Sequence, residues 1–217
     1  MLALGFVTAA VIGSALAGAR VNSTKSLPLG LYWTVNAPPR KGALVIFCPP
    51  KSPVFDEAKA RGYIDAGFCQ GGYRQMIKEI VAAKGDHVIV SDKGVFVNGK
   101  LLENSKPRTE DPGDRPMPYY RADCMLQDNQ VLLMSSYNPL SFDGRYFGPI
   151  DRAQIRSVIR PVFTWGLPSA LPGGLSSALS DGLPNGLSTQ QIVCKKGRAV
   201  KPVRRNKNER GKQRDSV

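Results

Sequence analysis

The sequence predicts a mostly β body that follows an apolar N-terminal helix and ends in a disordered C-terminal extension. Short β-branched segments separated by Pro- and Gly-rich turns indicate the β body, and an uncharged run at the start indicates the helix. A sharp change of composition after Trp165 marks the extension. With 217 residues, 42% of them hydrophobic, the chain is long enough for one medium domain with appendages, and a wholly disordered or collagen-like protein is excluded.

Residues 1–19 form the first predicted segment, a signal anchor or signal peptide. From residue 2 they carry no charge, and a helix of this length rises about 27 Å, close to the ~30 Å hydrocarbon core of a bilayer. We expect either a retained anchor or cleavage after Ala15-Leu16-Ala17, and a buried helix of a soluble protein is the alternative. Arg20 and Lys25 follow the run, and no basic residue precedes it. By the positive-inside rule, this distribution of charge favours a cytoplasmic body over an exported one. We therefore expect further basic residues upstream.

Between residues 20 and 165 the pattern is mostly that of strands. Apolar and β-branched runs predict strands over residues 43–48, 87–91, 94–97, 131–134 and 155–163. Asn98-Gly99 is typical of a type I′ hairpin turn. One helix is predicted in the body, over residues 54–61.

The positive charge is concentrated at the C-terminus. Of the net charge of +13, residues 194–217 carry +8, so the body is only mildly basic and a DNA-binding core is not supported. Residues 166–189 divide into three Leu-rich octads whose Pro and Gly content predicts a flexible linker over 166–193, with a membrane-surface or partner-docking stripe as the alternative. The tail 194–217 is predicted to be disordered. Its expected partner is anionic lipid or nucleic acid, and a solvated tail without a specific partner is the alternative.

Cysteine and histidine usage restricts the chemistry. The spacings of the four cysteines fit no zinc pattern, the chain has a single histidine, and no glycine-rich phosphate loop occurs, so we expect neither a metal nor a cofactor. In an exported body a disulfide is expected, and several pairings are open. Cys48–Cys69 is the preferred pair, with buried free thiols as the alternative.

Lys78 lies in a stretch with the alternation of a strand. Period two places it on one face with Met76, Ile80 and Ala82, all apolar. An ammonium group on such a face loses solvation, so its pKa should fall and the neutral amine becomes available near pH 7. A neutral lysine beside a serine hydroxyl can act as the general base of a Ser-Lys hydrolase. A surface lysine that keeps its charge in water is the alternative.

Four short blocks occur in order along the chain. They are NSTKSLPLGLYW (22–33), KGALVIF (41–47), KEIVAAKGD (78–86) and SFDGRYFGP (141–149). With these four blocks in this order, the chain resembles the signal peptidase superfamily of Ser-Lys proteases (S26 type), and most closely its TraF-type conjugal-transfer branch. The resemblance covers residues 20–165 and departs from the family pattern at three positions: Ala43 replaces an acid, Glu79 an arginine and Gly144 a serine.

The resemblance implies a signal-peptidase-like β fold and a serine endopeptidase with a Ser-Lys dyad. Ser26, two residues before Pro28, takes the position of the nucleophile, and Lys78 takes that of the general base. The Thr24 hydroxyl and the Ser26 N–H would hold the oxyanion.

Three further residues receive supporting roles from the same resemblance. Ser141 would donate a hydrogen bond that orients Lys78, and Asp143 and Arg145 would form an ion pair behind the site. Ser23 and Lys84 are rival candidates for nucleophile and base, but Ser23 lacks the S-x-P context and Lys84 lies at the end of the strand beside Gly85.

The TraF-type branch also implies a substrate. It is a pilin precursor held in the inner membrane, from which a C-terminal peptide is cleaved before the pilin closes into a ring. The body would then lie in the periplasm, anchored to the inner membrane. Two alternatives stay open: a general signal (leader) peptidase that cleaves exported precursors, and a non-catalytic, membrane-tethered binding protein.

Overall fold

The computed structural model describes residues 13, 17–165 and 194. Within them the chain forms twelve strands and two α-helices, and the prediction of a mostly β body is confirmed. The strands are β1 (Ala19–Asn22), β2 (Leu29–Val35), β3 (Leu44–Phe47), β4 (Ala66–Cys69), β5 (Met76–Ala82), β6 (His87–Ser91), β7 (Gly94–Val97), β8 (Lys100–Leu101), β9 (Ala122–Met125), β10 (Gln130–Met134), β11 (Ile150–Asp151) and β12 (Ile155–Trp165). The helices are α1 (Pro53–Ala60) and α2 (Gly144–Phe147), and a 3-10 turn covers Arg152–Gln154.

Two antiparallel sheets are built from these strands. The larger has seven strands in the order β1-β2-β12-β3-β5-β10-β11, and the smaller has four in the order β8-β7-β6-β9. Strand β5 lies between β3 and β10, with Lys78 opposite Val45 and Ile80 opposite Leu133. Because β5 has a partner on both sides and buries Lys78, Ile80 and Ala82, the alternation predicted for this stretch places the lysine inside the protein.

The local patterns that predicted individual elements are confirmed. The hairpin from β7 to β8 turns at Asn98 and Gly99, whose φ angles of 51° and 81° are both positive, as a type I′ turn requires. Helix α1 begins with Pro53, whose fixed φ suits the first helical turn, and it buries Phe55 and Ala58.

Helix α2 was not predicted. It is a single turn, too short for a periodic apolar pattern, and it begins where the Asp143 side chain accepts a hydrogen bond from the N–H of Arg145. Its Phe147 ring lies 4.9 Å from the Phe55 ring of α1, and the Phe142 ring stacks on that of Tyr146. This aromatic cluster fixes the segment that precedes α2 against the body.

Several predictions fall largely outside the described residues. The N-terminal apolar segment does so up to residue 16, as do the octads and the basic tail apart from Cys194. Among the residues that the structure describes, no helix is both long and apolar enough to cross a membrane.

Candidate active site

A cleft of about 530 Å³ opens beside the central strand β5. Its walls come from the loop after β1, from residues 63–69 and from residues 74–78, which enter β5. Ser26 and Lys78, which lie far apart in the sequence, both line this cleft. The structure therefore brings the predicted nucleophile and the predicted base to one cavity.

Ser26 is held on the tight connection between β1 and β2. Asn22, which is 3% exposed, closes this loop from within. Its Nδ2 donates to the carbonyl oxygens of Thr24, Leu27 and Pro28 at 3.0–3.2 Å, and its Oδ1 accepts from the Thr24 N–H. An asparagine side chain that accepts a hydrogen bond from the backbone N–H two residues later forms an Asx turn. The loop that carries Ser26 is thus braced by a buried side chain.

Lys78 is a charged side chain in an apolar interior. It is 1% exposed, and burial lowers its pKa from 10.5 to about 8. The negative charge of Asp143 opposes this shift, and the positive charge of Arg145 adds to it. Among the described residues, none accepts a hydrogen bond from the Lys78 amine. A substantial fraction of this amine is therefore neutral slightly above neutral pH, as a general base requires.

Ser141 lies beside Ser26. Its Oγ donates to Ser26 Oγ at 3.4 Å, whereas no hydrogen bond joins it to Lys78 within the described part of the chain. Ser141 is 4% exposed and precedes α2, so the aromatic cluster around α2 sets its position. The hydroxyl predicted to orient the base is placed here against the nucleophile.

Asp143 and Arg145 form a buried ion pair behind these serines. Both side chains are fully buried, and two hydrogen bonds of 2.8 Å join the guanidinium to the carboxylate. Arg145 also donates to the carbonyl oxygens of Pro139 and Ser141, and Asp143 accepts from the Ser135 N–H. The two charges are paired with each other, and both side chains form hydrogen bonds with backbone groups of the loop between β10 and α2. The ion pair therefore fixes this loop.

That loop contributes two hydrogen bonds, one to Ser26 and one to Lys25, that the sequence did not suggest. The Ser135 hydroxyl donates to the carbonyl oxygen of Ser26, and the Asn138 side chain donates to that of Lys25 at 3.0 Å. The peptide groups on both sides of Ser26 are therefore held from outside the serine loop. No local motif marks Ser135 or Asn138, which lie more than a hundred residues away along the chain.

Three further candidates from the sequence, Thr24, Ser23 and Lys84, lie in surroundings that differ from those of the dyad. The Thr24 hydroxyl donates to Asn22 Oδ1 at 2.8 Å, so a bond to an oxyanion would have to replace that contact. Ser23 lines the cleft but is exposed. Lys84 pairs with Asp128 on the surface, away from the residues that line the cleft.

Gly144 and Glu79, two departures from the family pattern, both have defined surroundings. A Cβ at Gly144 would lie 2.8 Å from the carbonyl oxygen of Leu133, so a serine at this position would require the backbone to move. Glu79, next to Lys78, is half-buried and accepts a hydrogen bond from the Ser136 hydroxyl at 3.1 Å. Neither change alters the lining of the cleft.

The cysteines form two disulfides. Cys48 is bonded to Cys69, and both line the cleft, so this bond ties the wall formed by residues 63–69 to the end of β3. Cys124 of β9 is bonded to Cys194, which also donates its N–H to Met125. No cluster of three or more His, Cys, Asp or Glu residues suited to a metal ion occurs among the described residues.

Comparison with known proteins agrees with these motifs. The model of the family described as signal peptidase, peptidase S26, matches residues 1–165. The chain is 60% identical over 154 residues to a plasmid transfer protein TraF of Escherichia coli, covering 70% of this chain and 86% of that protein. It is 36% identical over 163 residues to a conjugal transfer protein TraF of Agrobacterium tumefaciens strain 15955, covering 74% and 90%.

Among solved structures, a signal peptidase I from Enterococcus faecalis V583 shares 17% identity with this chain, with a TM-score of 0.34. The match covers 56% of this chain and 97% of the other. The family model spans most of the chain, and the TraF relatives are similar over most of their own length. The chain therefore belongs to the signal peptidase family, peptidase S26, as a TraF-type member.

Proposed function

We propose that this protein is a serine endopeptidase of conjugative plasmid transfer that processes the transfer pilin precursor and closes it into a ring. Ser26 is the nucleophile and Lys78 the general base. The observation that carries the proposal is the buried Lys78, with its pKa lowered to about 8, in the same cleft as Ser26. The names of the TraF relatives support the assignment to plasmid transfer.

The reaction begins with an acyl transfer. The neutral amine of Lys78 takes the proton of the Ser26 hydroxyl while Oγ attacks the scissile carbonyl. The tetrahedral oxyanion accepts a hydrogen bond from the Ser26 N–H, and one such donor is typically worth about 3 kcal/mol in the transition state. Collapse of this intermediate expels the C-terminal peptide, whose new amine receives the proton from Lys78. The pilin is then left as an ester on Ser26.

Ring closure requires that an amine resolves this ester. The amino group of the same pilin chain attacks the acyl carbon, an amide forms, and Ser26 Oγ leaves with a proton returned through Lys78. Because both ends belong to one molecule held at one site, the effective concentration of the amine exceeds what free solution offers. Water attack instead would produce a linear pilin.

We also propose that the body lies in the periplasm at the inner membrane. Two disulfides among the described residues support an oxidising compartment. The uncharged run that ends at Ala19, the first residue of β1, supports a site close to a membrane surface, where a membrane-held substrate would meet Ser26.

Co-expression with the major pilin of its transfer system tests the proposal. The wild type, Ser26→Ala and Lys78→Ala are compared, with Lys84→Ala as a control lysine on the surface, and the pilin is weighed by intact mass spectrometry. We expect wild type and Lys84→Ala to yield a pilin one water molecule lighter than the linear product. Both dyad variants should leave the precursor unprocessed.

The two alternatives predict different results. A general signal peptidase would release linear products from exported precursors, again only with Ser26 and Lys78 intact. A non-catalytic binding protein would keep its transfer function in Ser26→Ala. Normal pilin processing by that variant would overturn the proposed dyad.

A further inference from the structure

The peptide group between Lys25 and Ser26 is held at one end only. The Asn138 side chain donates to the carbonyl oxygen of Lys25, at 3.0 Å. The N–H of the same group belongs to Ser26, and among the described residues none accepts a hydrogen bond from it. A backbone N–H without a protein partner beside a cleft is available to a ligand.

The geometry of the peptide group connects these two facts. A trans peptide is planar, and its C=O and N–H point in opposite directions. Ser26 lines the cleft, whereas Asn138 is not among the residues that line it. A hydrogen bond that draws the Lys25 carbonyl towards Asn138 therefore turns the Ser26 N–H away from Asn138. The same bond polarises the amide and strengthens the N–H as a donor.

Asn138 is itself fixed in this orientation. Its Oδ1 accepts from the N–H of Leu140 at 2.8 Å, so the amide nitrogen must face Lys25. Its backbone N–H donates to the Ser135 hydroxyl at 3.2 Å, and its carbonyl accepts from the N–H of Ser141 at 3.0 Å. The side chain is thus preset before any substrate binds.

We propose that Asn138 is a positioning residue that orients the Ser26 N–H as the oxyanion donor. The inference rests on the proposed function, because it assigns the Ser26 N–H a role in acyl transfer. Asn138 touches neither the substrate nor the reacting atoms and acts through the peptide between Lys25 and Ser26. Because the oriented Ser26 N–H stabilises only the transition state, loss of Asn138 should reduce kcat and leave KM nearly unchanged.

Two variants and one control separate this role from a general effect on the loop. Asn138→Ala removes the bonds to both Lys25 and Leu140. Asn138→Asp keeps an acceptor for Leu140 but places a carboxylate oxygen against the Lys25 carbonyl. Leu140→Ala alters an exposed side chain of the same loop and keeps its backbone N–H.

The full chain in detergent micelles is assayed for cleavage of the pilin precursor, and the ¹³C resonance of the Lys25 carbonyl and the amide resonances of Ser26 are recorded by NMR. We expect both Asn138 variants to lower kcat by about tenfold to a hundredfold, less than the 10²–10³ lost with a whole oxyanion donor, with KM within about twofold. Both should shift the Lys25 and Ser26 resonances, and Leu140→Ala should resemble the wild type.

A wild-type kcat in Asn138→Asp would overturn the inference, because that variant keeps the acceptor for Leu140 and loses the bond to Lys25. Unmoved Lys25 and Ser26 resonances in both Asn138 variants would overturn it as well. A wild-type protein that leaves the pilin precursor intact contradicts the proposed function instead. In that case the NMR shifts still decide whether Asn138 sets the direction of the Ser26 N–H.

Discussion

Burial of Lys78 lowers the stability of the folded protein and at the same time makes its amine available as a base. Its side chain is 1% exposed, and the two charges that act on its pKa, Asp143 and Arg145, are paired with each other. Removal from water therefore dominates and disfavours the protonated form. The same shift destabilises the folded protein increasingly as the pH falls from 10.5 to about 8, and it supplies a neutral amine in the cleft.

This shift predicts the pH dependence of the proposed reaction. The base form of Lys78 is populated above its pKa of about 8, so kcat/KM should fall about tenfold per pH unit below that value and level off above it. Initial rates of pilin cleavage between about pH 6 and 10 measure the profile. Lys84→Ala, at an exposed lysine, should leave its midpoint unchanged. A flat profile across pH 8 would contradict a lysine base.

At the scale of elements, the loop between β10 and α2 connects the ion pair to the nucleophile. Asp143 accepts from the Ser135 N–H, and the Ser135 hydroxyl donates to the carbonyl of Ser26. Arg145 holds two carbonyl groups of the same loop. The ion pair therefore acts on Ser26 through a short chain of hydrogen bonds, which a change in either charged residue would disturb.

Asp143→Asn should lower the free energy of unfolding by about 3–5 kcal/mol, because it leaves the buried Arg145 without its charged partner. Urea unfolding followed by tryptophan fluorescence measures the change. Asp128→Asn, which breaks the exposed pair with Lys84, serves as the matched control and should cost less than about 1 kcal/mol. Equal losses in the two variants would show that burial of the pair contributes nothing.

At the scale of the whole molecule, the two disulfides join parts that the sheets leave separate. Strand β4 belongs to neither sheet, and the Cys48–Cys69 bond, in the lining of the cleft, links it to the end of β3. The Cys124–Cys194 bond fixes one point of the C-terminal extension to the smaller sheet. One bond therefore shapes the cleft, and the other lies outside its lining.

Replacing each cysteine pair by alanine should separate these roles. Loss of Cys48–Cys69 should lower the free energy of unfolding by about 3 kcal/mol, and loss of Cys124–Cys194, which closes a longer loop, by about 4 kcal/mol. Loss of Cys48–Cys69 should in addition reduce kcat/KM for the pilin precursor. Denaturant unfolding and cleavage assays on both double variants decide this. An equal loss of activity in both would count against a specific role in the cleft.

Local patterns were sufficient to predict most elements of the body. Alternation placed Lys78 on the buried face of β5, and Asn98-Gly99 identified the hairpin, because side-chain period and φ preference act over a few residues. Strands β1, β2, β4, β9 and β11 were not predicted individually. All of them except β2 have at most four residues, which is too short for a clear alternation.

Both members of the proposed dyad were predictable from the sequence: Ser26 from its block, and Lys78 from its block and its apolar alternation. Their surroundings become evident only in the folded protein. Ser135, Asn138 and Ser141 reach the serine loop across more than a hundred residues of chain, through sheet register and the packing of α2. No local pattern encodes such contacts, because they depend on which strands pair and not on the residues beside each serine.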